Sequence, residues 1–352
     1  MEMPRVAALA LALSLVFLNL TGQCSGELGF GFYSGKCRDK NGFQQNVENI
    51  VAKKVQERFI VDSTIVAALL RMQFHDCFVN GCDASILLDG PNSEKTAPPN
   101  LSVRGYEFID EIKEEIENTC PGIVSCADII VMATRDAVAE SYKKLGEGWY
   151  PVQTGRKDGL TSSAQNVNLP SPSITIDRSI QVFASTKLNA TDMIYLLGGG
   201  HSVGIAHCAL FENRLYNFHN SGSPDQTMNK TLLSTLQNLC PQNAGSSKSA
   251  NLDQNPLNSS SVDKSFYEQI LLGNGILEVD QQLALNSKTK VTVGTIAKSE
   301  GFIFQFGRAM IKLGIVDVKT DNDGEIRKTC RAVNPSSGNS GGSSSGFGNL
   351  FN

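Results

Sequence analysis

Apolar residues recur at helical spacing along most of the chain. The pattern predicts amphipathic helices over 44–59, 63–74, 106–117, 125–139, 177–186, 192–197, 209–218, 267–272 and 291–312, because positions i, i+3, i+4 and i+7 share one face of an α-helix. Start signals accompany several of them. Ser125 with Asp128 three residues on has the form of a capping box, and Thr191 or Asp192 is placed to cap the helix that follows. Alternation of apolar and polar residues is confined to short pieces such as 150–154, while clusters of Gly, Asn, Asp, Ser and Pro near 89–103, 158–175, 220–230 and 241–262 read as long connections. The expected fold class is all-α, without internal repeats.

Both ends break this rhythm. Arg5 is followed by an apolar run over 6–20 and then by the small and polar stretch 21–26, the pattern of a secretory signal peptide over 1–25. From 334 to 352 the chain is Gly/Ser-rich, cannot bury a core and reads as a flexible tail. No paired cysteine lies beyond Cys330, so the chain after it is expected to be dispensable for catalysis. The apolar end at 347–351 has the form of a vacuolar sorting signal, with secretion to the cell exterior (apoplast or cell wall) as the default.

Composition narrows the function classes. Over 352 residues, 31 Lys+Arg against 35 Asp+Glu give a net charge of −4, which leaves no basic footprint for nucleic acid or, once the signal is removed, for a membrane surface. With 41% hydrophobic and 19% charged residues, the chain is neither disordered nor a coiled coil. Of nine cysteines, Cys24 falls at the cleavage site, leaving Cys37, Cys77, Cys82, Cys120, Cys126, Cys208, Cys240 and Cys330. An even count in a secreted chain reads as four disulfides whose connectivity the count leaves open. Zinc is the rival for Cys77/Cys82 and Cys120/Cys126, but neither pair has the short spacing of a structural zinc site. Asn100, Asn189, Asn229 and Asn258 each open an N-glycosylation sequon.

Candidate chemistry concentrates in two segments. In Ala67-Ala-Leu-Leu-Arg-Met-Gln-Phe-His-Asp-Cys-Phe-Val-Asn-Gly-Cys-Asp-Ala-Ser-Ile86, the residues Ala68, Arg71 and His75 fall at i, i+3 and i+7. A cation and an imidazole then share one helix face, beside small residues that leave room for a bulky group. Directly afterwards Asp76, the carbonyls of Val79 and Gly81, Asp83 and Ser85 supply oxygen donors that a Cys77–Cys82 bridge would staple together. Hard oxygen ligands at that density suit Ca²⁺, with a plain acidic turn as the competing reading.

In the second segment Gly198-Gly199-Gly200 precede His201. Each glycine costs about 1 kcal/mol relative to alanine in a helix, so the run suggests that something flat and wide lies against the backbone, with His201 as a ligand. Gly200-His-Ser-Val-Gly204 also fits the G-x-S-x-G nucleophile elbow, with 193–197 as its strand. That reading needs a histidine well downstream, and none follows His219. Of the four histidines, His75 and His201 suit opposite sides of a cofactor; one axial imidazole facing an Arg/His pair is peroxidase logic.

From about 28 to 334 the chain resembles a class III secretory plant peroxidase, a haem enzyme. The run from Arg71 to Ser85 matches that family's distal motif and Gly199-Gly-His-Ser-Val-Gly204 its proximal motif. Supporting matches are Phe32-Tyr33, Val124-Ser-Cys-Ala-Asp128, Gly155-Arg-Lys-Asp-Gly159, Asn168-Leu-Pro170 and Val279-Asp-Gln281. The resemblance implies a two-domain plant haem-peroxidase fold over 26–333, with one haem b per chain between a distal half (about 26–170) and a proximal half (about 171–333). It also implies the disulfides Cys37–Cys120, Cys77–Cys82, Cys126–Cys330 and Cys208–Cys240.

For the site, the resemblance implies His201 as axial ligand of the haem iron, with Asp280 accepting its other N–H. His75 acts as general base and then acid on H₂O₂, Asn100 holds its second nitrogen, and Arg71 stabilises the charge that develops. The Asn100 sequon would then be silent, because a glycan there would block the pocket. A distal Ca²⁺ site is implied at Asp76, Val79, Gly81, Asp83 and Ser85, with Glu94 behind it, and a proximal one at Ser202, Asp253 and Asp263. Small phenolic donors, contacted near Pro170, are oxidised by one-electron steps, and a monomer is expected. The proximal Ca²⁺ set departs from the family: two extra residues separate the aspartates, Pro256 or Asn258 replaces a threonine, and Val262 an aromatic. Leu210 stands where many members carry a bulkier donor-site residue, so donor preference does not transfer. The alternative from another class is a catalytically silent Ca²⁺-binding secreted glycoprotein, against which the retention of Arg71, His75, Asn100, His201 and Asp280 argues.

Overall fold

The computed structural model describes residues 28–142, 148–255 and 260–335. The signal segment, the tail from 336 onward, Pro256 and the Asn258 sequon lie outside the described residues. Among those described, the chain forms twelve α-helices. They are α1 (Val47–Val61), α2 (Ile65–Cys77), α3 (Tyr106–Thr119), α4 (Cys126–Ser141), α5 (Ile176–Ser185), α6 (Ala190–His201), α7 (Glu212–Tyr216), α8 (Lys230–Leu239), α9 (Ser265–Leu271), α10 (Glu278–Leu285), α11 (Lys290–Lys298) and α12 (Phe302–Gly314). Four short strands make two antiparallel ribbons, β1 (Gly29–Phe30) on β2 (Gln153–Thr154) and β3 (Ile205–His207) on β4 (Ser249–Asn251).

The differences from the periodic pattern have local causes. The helix expected over 209–218 is broken at Phe211, which is fully buried and extended in φ, leaving a 3-10 turn at Cys208–Leu210 before α7. The run 291–312 divides into α11 and α12 where the Ser299 hydroxyl accepts the Gly301 N–H. Helices α8 and α10 are not predicted by the pattern, although Leu232, Leu233, Leu236 and Leu239 of α8 recur at helical spacing over its ten residues. Helix α6 begins earlier than expected because Asn189, not Thr191 or Asp192, is the cap: its side chain accepts the Asp192 N–H while Asp192 accepts the Asn189 N–H. Ser125 likewise caps α4, but Asp128 does not complete the box. Its buried carboxylate instead accepts Tyr33 Oη–H at 2.5 Å, Gly155 N–H at 2.6 Å and an Arg156 N–H at 2.7 Å.

Helices α1 and α2 both pack on α4, α12 packs on α6 and α2, and α2 meets α6 directly. The glycine run lies inside α6. A Cβ on Gly198 would sit 2.2 Å from the Tyr267 ring of α9 and one on Gly199 2.3 Å from the Phe306 ring of α12, whereas Gly200 faces open space. The flat neighbours at the first two positions are thus two rings of the protein itself. They let α6 dock close to α9 and α12, which fixes where α6 delivers His201. The segment 193–197 is helix, so the nucleophile-elbow geometry is absent.

The structure contains the four disulfides Cys37–Cys120, Cys77–Cys82, Cys126–Cys330 and Cys208–Cys240. The long Cys126–Cys330 loop contributes at most roughly 5 kcal/mol on the chain-entropy account. It also returns the C-terminal segment to α3 and α4, where Arg331 pairs with Asp110 at 2.6 Å and Asn334 donates to Ile326 O and accepts from Lys328 N. No helix among the described residues is long and apolar enough to cross a membrane.

Candidate functional site

The second half of α2 carries Arg71 and, in its last turn, His75 on one face, as the i, i+4 spacing dictates. His75 is buried, and its Nδ1 lies 2.6 Å from Asn100 Oδ1. Asn100 closes a 3-10 turn at Pro98–Asn100 and donates its amide to Glu94 O at 2.8 Å, which fixes the amide oxygen toward the imidazole. At 2% exposure, Asn100 has no room for a glycan. On the other ring nitrogen, Arg71 Nε donates to His75 Nε2 at 3.3 Å. The two contacts agree on one tautomer, with the proton on Nδ1 and the lone pair on Nε2. Burial first, and then the Arg71 charge, push the imidazole down to about 4, against the opposing hydrogen bond of Asn100. Near neutral pH His75 is an uncharged proton acceptor.

Below His75 the chain turns through the Cys77–Cys82 loop, where Asn80, Gly81 and Ala84 all have positive φ. Gly81 is required on two counts: its φ is +93°, and a Cβ would sit 2.2 Å from Asp317 O. The fully buried Asp76 carboxylate accepts Ala84 N–H at 3.0 Å, and Asp83 accepts Ser85 N–H at 3.0 Å. Burial, with the charges of Asp83 and Glu94 adding to it, raises the Asp76 carboxyl well above its ordinary range; burial raises Glu94 to about 7. Both Glu94 oxygens and Ser85 Oγ are buried without a well-formed hydrogen bond, although Ser85 lies close enough to Glu94 to favour its charged form. Mutually repelling carboxylates with orphaned oxygens beside them are what a hard cation would relieve. Among the described residues no three His, Cys, Asp or Glu side chains converge as metal ligands, so such a site would have to draw on hydroxyl and carbonyl oxygens.

On α6, which packs against α2, His201 is the last residue, and its Nδ1 lies 2.8 Å from Asp280 Oδ1. Asp280 sits in the first turn of α10, whose start is tied to the segment after Pro170 by the hydrogen bond from Val279 N to Pro172 O. Pro170 lies half-buried in that segment. Burial alone would depress the His201 imidazole, but the charge and hydrogen bond of Asp280 outweigh it and raise it above its ordinary value.

The residues expected to hold a proximal cation also have partners within the chain. Ser202 donates to Gly199 O, Asp253 accepts from Asn255 N and Ser265 Oγ, and Asp263 accepts from Ser265 N. Burial lifts Asp253 to about 6. A surface cavity of about 270 Å³ adjoins Asp263 and is lined by Tyr142, Lys264, Glu300 and Phe302; it touches neither histidine.

Sequence reasoning did not anticipate three partners of the distal groups. The Arg71 guanidinium is held by Pro99 O at 2.8 Å and Ser102 Oγ at 3.0 Å, and Lys319 Nζ lies 3.5 Å from Asp83. Ser102 is visible in the sequence only as the third residue of the Asn100 sequon.

A model of the family described as Peroxidase matches residues 47–299. The chain is 48% identical to Peroxidase 60 of Arabidopsis thaliana over 324 residues, 92% of this chain and 95% of that protein. It is 45% identical to Peroxidase 44 of the same plant over 92% and 98% of the two chains. With Peroxidase N1 of Nicotiana tabacum it shares 39% identity over 92% and 97%.

Proposed function

Because the chain belongs to the peroxidase family, we propose that it is a haem b enzyme that reduces H₂O₂ to water and oxidises small phenolic donors one electron at a time. The carrying observation is a matched pair of anchored imidazoles on the facing helices α2 and α6. Each is held through Nδ1, His75 by the neutral Asn100 and His201 by the carboxylate of Asp280, which puts the lone pair of each ring on Nε2, that of His75 meeting only the long 3.3 Å contact from Arg71 Nε.

The residues fit a haem. His201 has Nδ1 committed to Asp280, so Nε2 is the nitrogen left to bind iron, and the open space at Gly200 leaves the end of α6 uncrowded. The bound haem supplies the redox centre that accepts oxidising equivalents from H₂O₂ and passes them to donors. Asp280, by accepting the His201 Nδ1–H, fixes the ring orientation and makes the imidazole a stronger ligand.

On the opposite side His75 Nε2 takes a proton from one oxygen of H₂O₂ and returns it to the other as the O–O bond breaks, so that water leaves. Asn100 keeps the second ring proton on Nδ1 throughout. Arg71 places its positive charge beside the oxygen on which negative charge develops. The segment around Pro170, held to α10 through Pro172, supports a donor contact near the same crevice.

The orphaned oxygens of Ser85 and Glu94 support a Ca²⁺ ion bound by Asp76, Val79 O, Gly81 O, Asp83 and Ser85, with Glu94 reached through water. Asp253 and Asp263 support at most a weaker second ion. The signal pattern over 1–25 and the four disulfides support secretion to the cell exterior. Absorption spectra of the purified protein with and without H₂O₂ test the reading: a haem Soret band that shifts on adding peroxide is expected, and no band, or one unmoved by peroxide, would refute it.

A further inference from the structure

One short segment holds both groups that address H₂O₂. Residues 99–102 contribute Asn100 Oδ1 to His75 and, on either side of it, Pro99 O and Ser102 to Arg71. The guanidinium is fixed by its outer edge. Its two terminal nitrogens donate to Pro99 O at 2.8 Å, to Ser102 Oγ at 3.0 Å and, more weakly, to Ser102 O at 3.3 Å, while Nε on the inner edge points at His75 Nε2. Rotating the planar group about its long side chain would break the outer contacts first. The Pro99 carbonyl sits in a turn stiffened by two consecutive prolines, Pro98 and Pro99, so its position is preset. Ser102 lies beyond the turn on the exposed side of the crevice and supplies the only side-chain oxygen among the Arg71 contacts described.

We propose that Ser102 is a positioning residue for Arg71: its hydroxyl, with the Pro99 carbonyl, anchors the outer edge of the guanidinium and keeps its charge beside the nitrogen of His75 that takes the peroxide proton. This rests on the reading that Arg71 acts on peroxide. The serine thereby has a use independent of the silent sequon it completes. An arginine carries several rotatable bonds, and a donor aimed from a flexible stem loses effect unless its far end is tied.

The test compares haem-loaded wild-type protein with Ser102→Ala and Ser102→Thr. Two measurements are made: the second-order rate constant for reaction with H₂O₂, and the affinity for fluoride, read from the absorption spectrum, as a small anion that the guanidinium would stabilise. Loss of one hydrogen bond to the guanidinium should lower both by about threefold to tenfold in the alanine variant. The threonine variant, which keeps the hydroxyl, should stay within about twofold of wild type, and the rate of donor oxidation after peroxide has reacted should be unchanged in both. Wild-type values for Ser102→Ala in both measurements would overturn the assignment. Equal losses in the alanine and threonine variants together with a lowered Tm would also overturn it, because packing and not the hydroxyl would then be responsible. A wild-type protein inert to peroxide would be a different failure, removing the peroxidase reading itself.

Discussion

Asp280 presents one carboxylate oxygen to His201 Nδ1 at 2.8 Å and buries the other without a partner. An anionic acceptor that spends no second hydrogen bond keeps its charge concentrated on the imidazole. The Asp280→Asn variant preserves shape and one acceptor oxygen but removes that charge. We expect haem to remain bound, the iron reduction potential to rise, and the rate constant for H₂O₂ to fall by about 10- to 100-fold, as for other partners of metal-binding histidines. Spectroelectrochemistry and stopped-flow absorbance measure the two.

The two histidines should fail differently. Removing the proton acceptor in His75→Leu should slow reaction with H₂O₂ by about 10²- to 10⁴-fold while haem stays bound. His201→Ala should lose haem instead. Haem content by absorbance and stopped-flow rates separate the cases, and a His75→Leu protein as fast as wild type would reject the distal assignment.

The pH dependence follows from His75. Its neutral form accepts the proton, and burial holds its pKa at about 4 against an ordinary 6.5. The rate constant with H₂O₂ should therefore be level from neutral pH down to about 5 and fall tenfold per unit below about 4. The same depression makes a stability contribution that is complete above pH 6.5 and lost as pH falls toward 4, since the unfolded imidazole binds a proton there and the folded one does not. Rates and urea midpoints collected between pH 3.5 and 7 would test both.

The distal Ca²⁺ site should matter more than the proximal one. Asp76 directly follows His75, and Glu94 O holds the Asn100 amide, so loss of the ion loosens both ends of the His75–Asn100 hydrogen bond. Carboxylates at both sites already accept hydrogen bonds, so the ranking rests on this link to His75, which Asp253 and Asp263 do not share in any contact described. Asp83→Ala should cost more activity than Asp253→Ala, with tightly held Ca²⁺ between one and two ions per chain. Two equally tight ions and equal losses would reverse the ranking.

The end of the folded region can be located by truncation. Cys330 closes the last disulfide, but Arg331 pairs with Asp110 and Asn334 makes three hydrogen bonds to residues 325–328. Ending the chain after Pro335 should leave haem content, rate and Tm unchanged. Ending it after Cys330 should lower Tm by several degrees, consistent with the loss of about 1–2 kcal/mol of partly exposed contacts.

Two runs, Arg71 to Ser85 and Gly199 to Gly204, made the candidate site readable from the sequence, since Arg71, His75 and the oxygens proposed to hold Ca²⁺ are local in the chain. Periodicity gave the helices α1, α3 and α5 because each buries one face, while α2 and α4, buried nearly all round, were marked by their apolar content and, for α4, its Ser125 cap. It did not give α8 and α10, which are only ten and eight residues long and lie among Gly-, Asn- and Ser-rich connections, nor the break at the fully buried Phe211.

The sequence by itself determined the helical class, the eight cysteines available for pairing, and the residue types at each side of the site. Only the tertiary structure decided what the glycines of α6 lie against, which is Tyr267 and Phe306, and what Asp128 holds, which is Tyr33, Gly155 and Arg156. The same is true of the Ser102 anchor on Arg71, thirty-one residues away. The reason is physical. Spacing along the chain reports which face of a segment is buried, whereas a hydrogen bond or ring contact between distant residues exists only once packing has fixed the distance and direction between their elements.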